Sequence, residues 1–190
     1  MEDIGRHIAA TLRLLRQQQG WSLDRTSRET GVSKAMLGQI ERGESSPTVA
    51  TLWKLASGFR VSLSRLLGAE AGLAEPVTGE TLAAGSEAVR MTDEAGMQVA
   101  PLFAYDPEHH FEWLVVSLAP GAVSESDPHA PGVVEHLVVI EGQLELRLGD
   151  QWQRLEAGEG RRFAADQPHA YRNAGEAPAR FHDVIHYPRA

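Results

Sequence analysis

The chain has 190 residues, 42% of them apolar, which suits one or two globular domains, and it has no cysteine, which excludes disulfides, thiol catalysis and thiolate metal sites. Its net charge of −8 is uneven: residues 1–67 carry 10 Lys/Arg against 6 Asp/Glu (+4), while residues 68–190 carry 8 against 20 (−12) and seven of the eight histidines, which points to nucleic-acid binding at one end only. Met1-Glu2-Asp3 is followed by no apolar h-region and no apolar run reaches the ~18 residues of a membrane span, so the expected location is the cytoplasm, with no membrane partner.

Ile4, Ile8, Leu12 and Leu15 recur at helical spacing and predict a first helix over residues 3–18, ended by Gly20. Ser22 has the character of an N-cap for a second helix, Leu23 to Thr30, and Gly31 makes a turn. Ser33 caps a third helix, Lys34 to Arg42, with Leu37 and Ile40 inward and Lys34, Ala35, Gly38 and Gln39 outward. Gly43 stops it, and Thr48 caps a fourth helix with Val49, Leu52, Trp53 and Leu55 on its inner side. Ser62 caps the last, Leu63 to Leu67. Small, basic and amide side chains on an outward face suit a helix lying in a DNA major groove, where Gln pairs with adenine, Lys with guanine, and Ala meets a thymine methyl. Periodicity alone fits an ordinary amphipathic helix with a solvated face equally well.

Residues 68–95 are small, acidic and Gly/Ala-rich, and are expected to form a linker leading into the first strand of the next domain. Such text is unsuited to a rigid lever, so any coupling between the halves is expected in direct contacts. From Gly96 the period moves towards two. Phe111 to Leu118 and His136 to Ile140 read as strands, Glu141-Gly142 as a turn, Leu144, Leu146 and Leu148 as the inward row of another strand, and Trp152 to Leu155 as the next. Short strands with close turn signals indicate an all-β sandwich or barrel.

The stretch G-V-S-x-x-x-L-x-x-I-E-R-G from Gly31 to Gly43 resembles the recognition half of the Cro/repressor-type (XRE-like) helix-turn-helix family, and the likeness covers Ile4 to Leu67. It implies an all-α five-helix DNA-binding domain over 1–67. Base contacts are expected from Lys34, Ala35 and Gln39, and phosphate contacts from Ser22, Ser33 and Arg42. Two positions depart from the family pattern: Thr26 stands where a buried Leu is usual, and Ser27 where a tight Ala is usual.

The second half, from Phe111 to Tyr187, resembles the cupin family, which implies an all-β jelly-roll barrel within residues 96–190. Gly158, Ala164-Ala165-Asp166, His169 and Asn173 match the second cupin motif except for the proline replaced by Ala164. The first motif is partial: His129 and Glu135 are in place, but Pro131 stands where a second His is usual, and the leading glycine is shifted to Gly121. His129, Glu135 and His169 thus remain of a metal set that could hold Zn, Fe, Mn, Ni or Cu. The alternative is a polar lining for an organic effector, joined by Arg162 if that side chain faces inward and clamps an anion. His136 follows Glu135 on a strand and points to the other face. His182 and His186, about 13 Å apart along a strand, are too far separated for one ion. His109 and His110 read as solvated surface.

Both halves together resemble the cupin-bearing branch of these regulators and, within it, the bacterial regulators of sulfur utilisation, on V-S-K-A-M-L-G-Q-I-E-R-G-E-S-S-P, E-S-D-P-H-A-P-G-V-V-E-H-L-V-V-I-E-G-Q-L and I-H-Y-P-R. The resemblance implies a transcription factor that binds a double-stranded operator as a homodimer, answers a small-molecule effector of sulfur-containing chemistry, and is not an enzyme. The competing expectation is a metal-dependent cupin dioxygenase or isomerase with a DNA-binding appendage, and the missing second His at Pro131 counts against it.

Overall fold

The computed structural model describes residues 2–69, 91–93 and 95–188. Most of the stretch expected as a linker therefore lies outside the described residues. Five helices come first: α1 Glu2–Gln18, α2 Leu23–Thr30, α3 Lys34–Glu41, α4 Val49–Phe59 and α5 Leu63–Leu67. The side chains of Ser22, Ser33, Thr48 and Ser62 each accept the N–H three residues on, so four helix starts are set by local capping. Arg42 is the C-cap of α3 rather than its last residue.

Leu12, Leu37, Leu52, Leu55, Leu63 and Leu66 are fully buried, each contributing about 1.5–3 kcal/mol by leaving water. The Thr26 hydroxyl, also fully buried, donates to the Ser22 carbonyl at 3.0 Å, so a polar residue fills an apolar position without a lost hydrogen bond. Gly58 is required where α4 crosses α2: a Cβ there would lie 2.7 Å from the Glu29 carbonyl oxygen.

Ten strands follow: β1 Met91–Thr92, β2 Met97–Asp106, β3 Phe111–Leu118, β4 Val123–Ser126, β5 Val134–Glu141, β6 Gln143–Leu148, β7 Gln151–Glu156, β8 Gly160–Ala164, β9 His169–Arg172 and β10 Ala179–His186. They form a six-stranded sheet in the order β1-β2-β3-β10-β5-β8 and a four-stranded sheet in the order β4-β9-β6-β7. All pairs described are antiparallel. Strict alternation buries one face of β3, with Leu114, Val116 and Leu118 inward, and Leu144 and Leu146 do the same from β6.

The buried apolar side chains of helices and sheets form one continuous cluster. Polar contacts fix the same junction. Glu112, at the start of β3 and fully buried, accepts the N–H groups of Leu63 at 3.0 Å and Ser64 at 2.8 Å, and the Tyr187 hydroxyl. Asp93 accepts the N–H of Val49 at 3.1 Å. Two carboxylates of the β domain thus sit on the first amides of α4 and α5, where a helix has unpaired donors and a partial positive charge. Lys54 pairs with Asp127 at 2.9 Å, and Tyr105 donates its N–H to Ser64 Oγ at 3.0 Å. These are the direct contacts expected in place of a rigid linker.

Candidate functional site

Helix α3 buries Leu37 and Ile40 and exposes Lys34, Ala35, Met36 and Gln39. Its orientation is held from behind. Arg16 on α1 makes two hydrogen bonds, of 2.6 and 2.8 Å, to the Glu41 carboxylate, and Arg13 donates to the Glu41 carbonyl at 2.9 Å. This explains the glutamate of the E-R-G signature: it ties the helix to α1. Lys34, Ala35, Gln39 and Arg42 line one surface hollow together with Leu23 and Gly38. Gly38 is not on the open outer face as expected. It is buried under Arg42, whose guanidinium nitrogen lies 3.0 Å from where a Cβ would be.

The charged side chains of this face have acidic partners. Lys34 pairs with Asp24 at 2.9 Å, and Arg42 makes a two-pronged contact with Glu44 at 2.8 and 2.7 Å. Hydrogen bonding to the Arg42 guanidinium pulls the Glu44 carboxyl below its usual range. All four side chains are more than half exposed, so these pairs are weak and phosphates can replace the carboxylates. Ser22 and Ser33 spend an oxygen lone pair on their caps, at 3.2 Å each, and keep their hydroxyl proton to donate. Met36 went unnoticed in the sequence although it is exposed beside Ala35.

A second constellation lies between the sheets. The loop after β4 brings in His129, β5 brings Glu135, and β9 brings His169, and one ligand atom from each lies within 4.8 Å of the others. All three are buried. His129 Nε2 stands 2.9 Å and His169 Nε2 3.6 Å from Glu135 Oε1, yet Oε1 and His169 Nε2 have no hydrogen-bond partner. The three groups therefore face a common point, with His129 and Glu135 in direct contact there. His169 Nδ1 lies 2.9 Å from the Gln167 carbonyl oxygen. A proton there leaves the Nε2 lone pair aimed at the cluster. Burial lowers the His169 pKa, against the pull of Glu135, and favours the neutral imidazole that a metal needs. Burial works against the Glu135 carboxylate, but His129, His169 and the Tyr171 hydroxyl outweigh it and hold its pKa at about 2. The residues present therefore fit a divalent transition metal.

Two members were not found from the sequence. The Tyr171 hydroxyl donates to Glu135 Oε2. Asp183 on β10 is buried, and burial together with the Glu135 charge pushes its pKa up. The available signal was an acidic residue between Phe181 and Ile185, on the inward row of a strand. Arg162 corrects an expectation. It is exposed and pairs in register with His136, on the face opposite Glu135 and Phe163, so it does not reach the cluster. The enclosed space beside the cluster between the sheets is small. It is about 10 Å³, room for an ion or one water, and Trp53 of α4 covers it with its ring 4.4 Å from the His129 ring.

A family model described as helix-turn-helix matches residues 12–66, and one described as cupin domain matches residues 114–185. The HTH-type transcriptional regulator SutR of Escherichia coli K12 is 50% identical over 190 residues, covering 100% of both chains. The HTH-type transcriptional regulator PuuR of the same organism is 25% identical over 91% of each chain. A crystal structure of an HTH_3 family transcriptional regulator from Vibrio cholerae superposes with a TM-score of 0.82 at 40% identity, covering 98% of this chain and 99% of that one. With the capped recognition helix in front and the His-Glu-His cluster behind, the chain belongs to the helix-turn-helix transcriptional regulators that carry a cupin domain, and it is a DNA-binding transcriptional regulator.

Proposed function

We propose that the regulator binds a near-palindromic operator as a homodimer in the cytoplasm, with α3 of each copy in a major groove. Lys34, Ala35 and Gln39 read base edges there. Ser22, Ser33 and Arg42 hold phosphates, with Arg42 exchanging Glu44 for the backbone. The observation that carries this reading is the row of small and polar side chains on α3, turned away from the core and held rigid by the Arg16–Glu41 contact. One helix reads only a few base pairs, so two half-sites spaced about 10 base pairs or a multiple apart are needed. Binding-site selection with the full chain tests it: a palindromic preference that Gln39→Ala relaxes at one base pair is expected. An unchanged preference in that variant sinks Gln39 as a reader.

The two sheets close as the jelly-roll barrel of a cupin, and the barrel is a sensor and dimerisation domain rather than an enzyme. Domain limits of 1–67 for the helical part and 96–190 for the barrel, with 68–95 between them, suit this division. His129, Glu135 and His169 would hold a divalent ion, which supplies a fixed positive charge and Lewis acidity when bound. A substrate would have to displace Trp53 to reach that ion, which favours sensing over catalysis. The exposed apolar side chains Val138 and Ile140 of β5 suit the contact between copies. The resemblance to regulators of sulfur utilisation supports control of sulfur-metabolism genes and a small sulfur-containing metabolite as the effector.

A further inference from the structure

A cleft of about 530 Å³ opens where α4 and α5 meet the β domain, with Trp53 and His129 both on its wall. This is within the range of small-molecule sites. Trp53, Arg60 and Arg65 line it from the helices, and Tyr105, Pro131 and Tyr187 line it from the sheets. Among the described residues that line it there is no Asp or Glu.

Arg60 stands out by its backbone. It ends α4 in the left-handed conformation, with φ of 56°, where α2 and α5 end in Gly31 and Gly68 with φ of 70° and 81°. A side chain is strained in that conformation, and glycine is not. Such strain persists where the side chain serves a purpose. Among the described residues no carboxylate pairs with Arg60, whereas Lys54, Arg25 and Arg42 on the same domain all have acidic partners.

We propose that this interdomain cleft is the effector site, and that it takes a small organic carboxylate or sulfonate, its anionic end on Arg60 beside Arg65 and its apolar body against Trp53. The proposal rests on the reading of the chain as a ligand-responsive regulator. It also supplies the coupling. The walls belong to both domains, so an occupant binds the docked arrangement of helices and sheets more tightly than any other. That preference reaches the DNA through α4, which follows the recognition helix directly.

The test titrates the full chain with benzenesulfonate, with benzyl alcohol as the uncharged control, following the Trp53 indole N–H signal by NMR after its assignment with Trp53→Phe. Benzenesulfonate is expected to shift that signal saturably, and benzyl alcohol is not. Arg60→Gly is expected to raise Tm, because glycine relieves the strained cap, and to weaken benzenesulfonate binding by about tenfold or more. Absence of a saturable shift, binding undiminished in Arg60→Gly, or a lower Tm in that variant would each overturn the assignment. The titration contains no DNA, so its failure leaves operator binding by gel shift intact. Failure of the gel shift with a positive titration would remove the regulator reading and keep the site.

Discussion

Replacing Glu112 removes a carboxylate that holds the helical domain on the sheets. In the native chain it accepts two backbone N–H groups of α5 and the Tyr187 hydroxyl, and Glu112, Leu63 and Ser64 are all fully buried. Glu112→Ala leaves the two amides and the hydroxyl without an acceptor. A buried donor left unpaired costs about 1–3 kcal/mol. The Tyr187 hydroxyl can turn to another partner more easily than a fixed amide can. The expected loss is therefore about 3–6 kcal/mol, a large share of the roughly 5–15 kcal/mol that holds a typical domain. Glu112→Gln keeps one acceptor but turns an N–H₂ group towards donors, for a loss of about 1.5–3 kcal/mol. Tyr187→Phe deletes one donor and strands nothing, so about 0.5–1.5 kcal/mol is expected. Urea unfolding followed by helical circular dichroism and by tryptophan fluorescence reads both the size and the order of these losses. Because Glu112 acts at the junction, the helical signal in the alanine variant should separate from the fluorescence signal into an earlier transition. A Glu112→Ala protein within about 1 kcal/mol of the native chain, with coincident transitions, would refute the reasoning.

Gln39→Ala should cost about 1–3 kcal/mol on the selected operator and little on unrelated DNA, as read by competition gel shift. Operator affinity should fall about 10³-fold or more between about 50 and 200 mM salt despite the acidic overall charge, because the basic helical domain faces the phosphates; a flat titration would contradict the phosphate contacts. Val138→Glu together with Ile140→Glu should give a monomer in sedimentation analysis, since both side chains are over 40% exposed on one face of β5. Persistence of the dimer would move the interface elsewhere. The purified protein should hold about one divalent ion per chain, and His169→Ala should reduce this to about a tenth or less by elemental analysis. Equal metal content in both would remove the cluster as a metal site.

The sequence by itself determined what is local. Ser22, Ser33, Thr48 and Ser62 announce four helix starts because a cap needs only the three residues that follow it. The inward row of Leu144 and Leu146 follows from a period of two. His129, Glu135 and His169 were found through the resemblance to the cupin motifs, and two of them lie on strands whose alternation fixes which way they point. The same rule could not settle Arg161 and Arg162. They are neighbours on β8, so one of them has the inward parity, but the pairing of Arg162 with His136 and the edge position of the strand leave both exposed. That depends on a partner more than twenty residues away in the chain. Only the tertiary structure decided how the halves meet. Asp93 and Glu112 carry no sequence mark as helix caps, because each serves a helix more than forty residues earlier. The Trp53 ring over His129 joins residues read separately, one as a core side chain of a helix and one as a ligand of a cupin. Capping and alternation are encoded within a few residues. A carboxylate reaching the amides of a distant helix, or an indole closing a distant cavity, exists only once the chain has folded back on itself.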